Sequence, residues 1–148
     1  MVGRVGGPVC VTGGTGFIGS SMVVRLLEDY SVRTTFVVLS GYSKRDTSYL
    51  TNLPGETERL EIFYNADLDH PETFRPAIEG CVCVYHVAHP VDVSTNLKDG
   101  VDVPMETITQ TSLGGMLGIL KISVESKTVK RVVCTSAMGT TMFNWKTT

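Results

Sequence analysis

A glycine-rich segment near the N-terminus constrains the fold of this chain more than any other feature. Residues 13–19 read Gly-Gly-Thr-Gly-Phe-Ile-Gly, and they lie between a short β-branched run and an amphipathic stretch. In a turn that joins a strand to a helix, Gly13 would permit the tight bend, Gly16 would let the backbone approach a pyrophosphate, and Gly19 would bring helix and strand close together. The N–H groups at the helix N-terminus would then bind phosphate. The segment therefore predicts dinucleotide binding, with a purely structural tight turn as the alternative.

Short β-type runs alternate with helix-type stretches along the rest of the chain, which is typical of a parallel sheet with crossover helices. The predicted strands span residues 8–12, 32–39, 60–65, 81–87 and 131–135, and the predicted helices span 17–28, about 71–79 and 105–126. Right-handed crossovers give the strand order 3-2-1-4-5, so the fold class is α/β, a Rossmann-type doubly wound parallel sheet. Residues 12–19 and 87–90 should line one crevice at the switch point. Gly114, Gly115 and Gly118 are expected to pack the long helix closely on the sheet.

The composition argues against several function classes. The 148 residues suit one domain, and a net charge of −2 gives no reason to expect nucleic acid or an anionic membrane as partner. The apolar runs are too short to span a membrane and no apolar signal core follows Met1, so a cytoplasmic location is expected. No metal is expected, because the cysteines lie in apolar runs without the paired spacing of zinc ligands and should behave as small core hydrophobes. These cysteines are Cys10, Cys81, Cys83 and Cys134.

Longer runs carry a specific family resemblance. Residues 9–20, Val-Cys-Val-Thr-Gly-Gly-Thr-Gly-Phe-Ile-Gly-Ser, resemble the N-terminus of the extended short-chain dehydrogenase/reductase superfamily, of the NAD-dependent epimerase/dehydratase type. Within it, the chain is similar to the dihydroflavonol reductase-like and vestitone reductase-like enzymes of plants. Further runs with this likeness are residues 44–46, 51–55, 65–68, 77–81, 84–90, 115–121 and 126–131. The likeness covers nearly the whole chain, apart from residues 91–104.

The resemblance implies NADPH-dependent reduction of a carbonyl on a flavonoid or related phenolic substrate. It places Asp67 and Leu68 at the adenine, and Val87 and Ala88 at the ribose of the nicotinamide. A carboxylate at the end of the third strand could accept the adenine amino group, although the sequence Asp-Leu-Asp at 67–69 could also form a helix-entry turn. The candidate cofactor-binding residues are Gly13, Thr15, Gly16, Phe17, Ile18, Gly19, Lys44, Arg45, Asp67, Leu68, Val87 and Ala88.

Residues after the second strand distinguish NADP from NAD. An acid there would accept the 2′-hydroxyl of NAD, whereas basic residues accommodate the 2′-phosphate of NADP. No acid lies between Val32 and Arg45, and Lys44 and Arg45 offer two cations. NADP is therefore favoured, with an ordinary solvated basic loop as the alternative. The arginine that the family uses for NADP is missing, and its place holds Val37 or Val38.

The catalytic residues of the family are largely missing. The family uses a serine together with a tyrosine and a lysine in a Tyr-x-x-x-Lys helix, and no Tyr-x-x-x-Lys pattern occurs in the 148 residues. The position of the serine holds Ala137, which has no hydroxyl. Ser136 is a candidate substitute only if the strand end is twisted or bulged, because neighbouring side chains on a strand point to opposite faces. His89 replaces a threonine or serine of the family and could in principle act as an acid or base.

The predicted fifth strand is followed by few residues, so residues 1–148 read as an incomplete NAD(P)-binding Rossmann domain, truncated after that strand. The substrate lobe and the Tyr-x-x-x-Lys helix would be absent, and an uncovered fifth strand would favour self-association through the open sheet edge. Two functions remain open. One is a reductase-like protein, inactive in this form, whose full-length form would take a phenolic substrate. The other is a non-catalytic dinucleotide-binding module or pseudoenzyme.

Overall fold

Strands and helices alternate along the computed structural model, which describes residues 6–28, 34–39, 59–90 and 105–136. The strands are β1 (Val9–Thr12), β2 (Thr34–Leu39), β3 (Leu60–Ala66), β4 (Cys83–His86) and β5 (Arg131–Cys134). The helices are α1 (Phe17–Glu28), a 3-10 turn (Pro71–Phe74), α2 (Arg75–Ile78) and α3 (Met105–Glu125). No helix in these ranges is long and apolar enough to cross a membrane.

The described strands form one parallel sheet in the order β3-β2-β1-β4-β5. This confirms the predicted α/β class and the doubly wound order. Thr12, the last residue of β1, pairs with Val37 on one side and with His86 on the other. The carboxyl ends of β1 and β4 therefore lie level with each other, at the edge where open α/β sheets bind ligands.

The central strand β1 is buried on both faces, as its unbroken β-branched and apolar run requires. On one face Val11 packs with Val23 and Leu27 of α1. On the other face Cys10 belongs to a larger cluster, whose members include Phe74 of the 3-10 turn, Ile78 of α2 and Ile119 of α3. Burial of one such side chain contributes about 1.5–3 kcal/mol, so both helical layers hold β1 in place.

The helix predicted near residues 71–79 is shorter and irregular. It divides into the 3-10 turn Pro71–Phe74 and the single α turn Arg75–Ile78. Pro76 has no amide hydrogen, so it cannot donate the backbone bond that would merge the two pieces. The amide of Cys81 donates to the carbonyl of Ile78 at 3.0 Å, so Cys81 belongs to the turn and β4 begins at Cys83.

The three glycines of α3 do not all have the expected role of packing on the sheet. A Cβ on Gly115 would lie 2.8 Å from Cδ2 of Leu68, and one on Gly118 would lie 2.5 Å from Cγ of Pro71. These two glycines therefore face the segment that follows β3, while a Cβ on Gly114 would meet nothing within 4 Å. The prediction of close packing on the sheet is wrong for Gly114, which lies on the exposed face of the helix, and Gly115 and Gly118 pack on the segment after β3 rather than on a strand.

The edge strand β5 is much more exposed than the other described strands of known burial. Val133 is 40% exposed, and Cys134 is also exposed. The prediction that all the cysteines are core residues is therefore wrong for Cys134, whereas Cys10, Cys81 and Cys83 are buried. The physical reason is position: among the described strands β5 pairs only with β4, so less of its surface is covered than that of the central strands.

Candidate functional site

The glycine-rich turn lies at the carboxyl end of β1 and faces the residues after β4. Gly13 has a φ of +72°, in the left-handed region that favours glycine. A Cβ at this position would lie 2.9 Å from both the nitrogen and the Cα of Ala88. Gly13 and the backbone at residues 87–88 are thus in direct contact at the carboxyl ends of β1 and β4, where the doubly wound topology predicts the ligand crevice.

The other two glycines of the motif differ in what surrounds them. A Cβ on Gly19 would overlap the carbonyl group of Gly13, lying 2.8 Å from its carbon. Glycine at residue 19 therefore lets α1 begin directly beneath the turn. A Cβ on Gly16 would make only an ordinary contact of 3.4 Å with the oxygen of Gly13. The protein itself therefore imposes no steric need for glycine at residue 16.

The N-terminus of α1 has the electrostatics of an anion-binding site. The first amides of a helix lack acceptors within the helix, and the helix dipole favours negative charge there. The first turn of α1 contains no acidic residue that would oppose an anion. Phe17 is 89% exposed and Ile18 is also exposed, so both present apolar surface beside the turn, while Thr15 is half-buried within it. These residues fit a pyrophosphate, whose charge the amides would compensate.

A buried polar group lies beside this contact between the ends of β1 and β4. The hydroxyl oxygen of Thr12 is 2.8 Å from Nδ1 of His86, and it accepts the amide hydrogens of Val87 at 3.2 Å and of Ala88 at 3.1 Å. Burial lowers the pKa of His86, and the neighbouring charge of His89 lowers it further. Thr12 was predicted only as a residue lining the crevice, and His86 was not among the predicted site residues. The available signal was a polar residue at the end of each of two otherwise apolar, adjacent strands.

Asp67 forms the helix-entry turn that the sequence allowed. Its carboxylate accepts the amide of Asp69 at 3.0 Å, its carbonyl accepts the amide of His70 at 3.1 Å, and its own amide donates to Thr73 at 2.9 Å. These bonds orient the Asp67 carboxylate at the carboxyl end of β3. Leu68 is buried against Gly115, so its side chain contributes mainly to the core.

The catalytic candidates are only partly within the described residues. Ser136 is exposed and follows β5, and the amide of Thr135 just before it donates to the carbonyl of His86 at 3.1 Å. This bond continues the pairing of β5 with β4 by one residue, which brings Ser136 to the same carboxyl edge as Val87. Lys44, Arg45 and Ala137 lie outside the described residues.

The buried thiols are held in their neutral form. Burial raises the pKa of Cys81 to about 11 and raises that of Cys10 further. A neutral thiol is a poor nucleophile and a poor metal ligand, so these cysteines act as apolar core residues. Within residues 6–28, 34–39, 59–90 and 105–136, no group of three or more His, Cys, Asp or Glu side chains could hold a metal ion.

Known proteins resemble this chain in sequence. Vestitone reductase from Medicago sativa is 50% identical over 141 residues, which are 95% of this chain and 41% of that protein. Protein BRI1-5 ENHANCED 1 from Arabidopsis thaliana is 51% identical over 131 residues, 88% of this chain and 34% of that protein. Dihydroflavonol 4-reductase from Hordeum vulgare is 44% identical and covers 90% of this chain and 35% of that protein. The chain thus spans less than half the length of these relatives.

A solved structure and a family model lead to the same assignment as these sequence relatives. The crystal structure of vestitone reductase from alfalfa matches with a TM-score of 0.69 and 45% identity, over 88% of this chain and 36% of that one. The resemblance to the dihydroflavonol reductase-like and vestitone reductase-like enzymes is confirmed by these similarities. A family model described as the NAD dependent epimerase/dehydratase family matches residues 9–143. The chain belongs to the NAD dependent epimerase/dehydratase family.

Proposed function

We propose that this protein binds NADPH in a crevice at the carboxyl ends of β1 and β4, beside the glycine-rich turn and residues 87–88, and that it is the nucleotide-binding part of a reductase. The observation that carries this proposal is the approach of Gly13 to Ala88, where a Cβ would lie 2.9 Å from the Ala88 nitrogen. A left-handed glycine packed this closely brings the backbones of the two segments together, so backbone rather than side chains would form the floor of the proposed site. Backbone amides at a helix N-terminus suit a pyrophosphate.

In this proposal the cofactor would lie along the carboxyl edge of the sheet, and each part of it would contact the end of a different strand. The turn at residues 13–19 would hold the pyrophosphate, and Asp67 at the end of β3 would accept the adenine amino group. Val87 and Ala88 at the end of β4 would contact the ribose of the nicotinamide. Neighbouring strands lie about 4.8 Å apart, so the ends of β3 and β4 lie three strand spacings apart across β2 and β1. An extended dinucleotide is long enough to reach both ends.

The preference for NADPH is attributed to Lys44 and Arg45. No acidic residue that would accept the 2′-hydroxyl of NADH lies between Val32 and Arg45. A surface charge pair contributes about 0–1 kcal/mol, so two such pairs would favour NADPH by at most about 2 kcal/mol, or about thirtyfold in affinity.

The proposed substrate class is a phenolic carbonyl compound of the flavonoid type. It follows from vestitone reductase and dihydroflavonol 4-reductase, which share 50% and 44% identity with this chain. When bound, the nicotinamide supplies a hydride, and the developing alkoxide needs a proton donor. The 148 residues contain no Tyr-x-x-x-Lys pair, and Ala137 stands at the position of the serine. We therefore propose cofactor binding without turnover for this polypeptide, in the cytoplasm, with reduction requiring a longer form.

A second candidate function is a non-catalytic dinucleotide-binding module. Ala137 favours it, since a longer form would still lack the hydroxyl at that position. A longer form carrying a Tyr-x-x-x-Lys helix should reduce the substrate slowly if the reductase proposal is correct. It should bind NADPH and remain inactive if the second candidate is correct.

Calorimetric titration of the 148-residue chain tests cofactor binding. Wild type should bind NADPH more tightly than NADH, and the Lys44→Ala/Arg45→Ala variant should bind both with similar affinity. The matched control is Lys121→Ala/Lys130→Ala, which removes the same charge at exposed positions away from the crevice. Equal affinities of wild type for NADPH and NADH would remove the assignment to NADP. A wild-type chain that binds neither nucleotide would overturn the proposed function.

A further inference from the structure

We infer that Thr12 and His86 form a buried polar pair that positions the backbone of Val87 and Ala88 at the nicotinamide side of the crevice. This inference rests on the proposed binding of a dinucleotide. Both are positioning residues: they act through the backbone that they hold, and neither is assigned a contact with the reacting atoms. The two residues are 74 positions apart in the sequence.

The pair lies where the two central strands end together. Thr12 and His86 are register partners in the parallel ladder of β1 and β4, so their side chains share one face of the sheet. Thr12 is fully buried and His86 is 7% exposed. A buried polar group must be hydrogen-bonded to avoid a loss of stability, and here each of the two side chains satisfies the other.

The hydrogen bonds that the Thr12 hydroxyl accepts determine that it donates its own hydrogen to His86. A threonine hydroxyl has one hydrogen and two acceptor sites. The amides of Val87 and Ala88 both donate to Oγ1 of Thr12. The single hydroxyl hydrogen is therefore left for Nδ1 of His86, 2.8 Å away. Neutral His86 must then carry its proton on Nε2, which is consistent with the lowered pKa of this buried imidazole.

The segment that the pair holds has just left the sheet. The ladder between β1 and β4 ends at His86, so the next two amides need a different acceptor. The hydroxyl of Thr12 accepts both of them. Thr12 also directly precedes Gly13, which packs directly on the backbone of Ala88. One residue therefore joins the two segments that meet at the carboxyl ends of β1 and β4.

The distance between Gly13 and Ala88 can change very little. Gly13 and Ala88 are already in contact, since a Cβ on Gly13 would lie 2.9 Å from Ala88, so residues 87–88 cannot move toward the turn and an outward shift would break this contact. His86 also links the neighbouring strand, since its carbonyl accepts the amide of Thr135 at 3.1 Å. Loss of the hydroxyl should therefore change the nicotinamide side of the crevice, and should leave the adenine side at β3 unchanged.

The test compares two ligands across a conservative series. Thr12→Val keeps the shape and removes the hydroxyl, whereas Thr12→Ser keeps the hydroxyl. Calorimetry measures the affinity for NADPH and for adenosine 2′,5′-bisphosphate, which lacks the nicotinamide half. We expect Thr12→Val to weaken NADPH binding by at least about tenfold and to change binding of the bisphosphate by less than about twofold. Thr12→Ser should restore NADPH affinity to within about threefold of wild type.

A matched control removes a buried hydroxyl elsewhere. Ser123 on α3 is buried, and its hydroxyl donates to the carbonyl of Ile119 at 2.7 Å. Ser123→Ala should lower the melting temperature and leave NADPH affinity unchanged. If Thr12→Val weakens both ligands equally or weakens neither, the positioning role is wrong while cofactor binding stands. If wild type binds neither ligand, the proposed function itself fails.

A second measurement needs no variant and applies even where Thr12→Val does not fold. The nitrogen chemical shifts of the imidazole in wild-type protein report which ring nitrogen carries the proton. We expect the proton of His86 on Nε2 near neutral pH. A proton on Nδ1 would remove the acceptor that orients the Thr12 hydroxyl, and would overturn the inference.

Discussion

Gly13 lies so close to Ala88 that a Cβ at residue 13 would be 2.9 Å from the Ala88 amide nitrogen. The two residues come from the ends of β1 and β4, which are far apart in the sequence and adjacent in the sheet. Substituting Gly13 therefore has two costs: a left-handed φ of +72° and a steric overlap. The two costs can be separated experimentally, because another glycine has only the first.

Gly13→Ala should destabilise the protein by more than about 2 kcal/mol and abolish NADPH binding. The matched control is Gly80→Ala, since Gly80 has a φ of +79° and a Cβ there would meet nothing within 4 Å. That variant should lose only about 1 kcal/mol and keep its NADPH affinity. Urea unfolding and calorimetry measure the two quantities. Equal losses of stability in both variants would show that the approach of Gly13 to Ala88 has no energetic effect.

The glycines of α3 give a second matched pair. Gly114→Ala should stabilise the protein by about 1 kcal/mol, because alanine favours the helix and its Cβ would meet nothing within 4 Å. Gly118→Ala should destabilise it by about 1–3 kcal/mol, because the new methyl group would overlap Pro71. Thermal melts should thus move in opposite directions by several degrees, at roughly 3–4 °C per kcal/mol. Two shifts of the same sign would contradict the packing of α3 against the segment after β3.

The stability of the protein should depend on the protonation of His86. Burial and the charge of His89 lower the pKa of His86 in the folded state, so the unfolded chain binds the proton more readily. The stabilisation is therefore fully present above the unfolded pKa of about 6.5, and it is lost as the pH falls below that value toward the folded pKa. Wild type should lose more stability between about pH 7 and pH 5.5 than His86→Asn does.

A variant at His89 tests the cause of the lowered pKa of His86. His89→Asn removes the second contribution to the lowered pKa of His86, so its acid-induced loss of stability should be smaller than in wild type. Urea unfolding at several pH values gives the comparison. An identical pH dependence in wild type and His86→Asn would show that His86 does not titrate differently in the two states.

Self-association should depend on the exposed edge strand β5. Val133→Lys places a charge on the strand, and charged edge residues oppose strand pairing between molecules. The control is Val124→Lys on α3, where the side chain is 78% exposed and belongs to a helix rather than to a strand. Size-exclusion chromatography of both variants should show a larger monomer fraction only for Val133→Lys. If Val124→Lys alone increases the monomer fraction, the contact is on the helix and the prediction for β5 fails.

The 148-residue chain should show no reductase turnover with NADPH and flavanonol or isoflavanone substrates. The physical reason is that the developing alkoxide needs a proton donor, while the 148 residues contain no Tyr-x-x-x-Lys pair and have Ala137 at the position of the serine. The assay is the decrease in NADPH absorbance at saturating cofactor. Turnover that is removed by Ser136→Ala or by His89→Ala would refute this expectation and would identify a donor within the chain.

The sequence alone determined the layers of the fold and their order. Apolar strands alternate with amphipathic stretches, and that periodicity predicted α1 at Phe17–Glu28 and the order β3-β2-β1-β4-β5, both as observed. It succeeded because hydrophobic periodicity is local and right-handed crossovers leave few arrangements. The glycine-rich turn was also visible, since its residues are contiguous.

Only the tertiary structure decided which residues meet at the ends of β1 and β4 and what holds them. No local pattern in the sequence around Thr12 or around His86 indicates that the two residues pair. Their hydrogen bond exists because two strands whose last residues are 74 positions apart in the sequence end side by side. The different surroundings of Gly114 and Gly118 depend on which face of α3 meets Pro71. The exposure of Cys134 depends on β5 lying at the edge of the sheet. Each of these is set by contacts between distant segments, which local propensity does not encode.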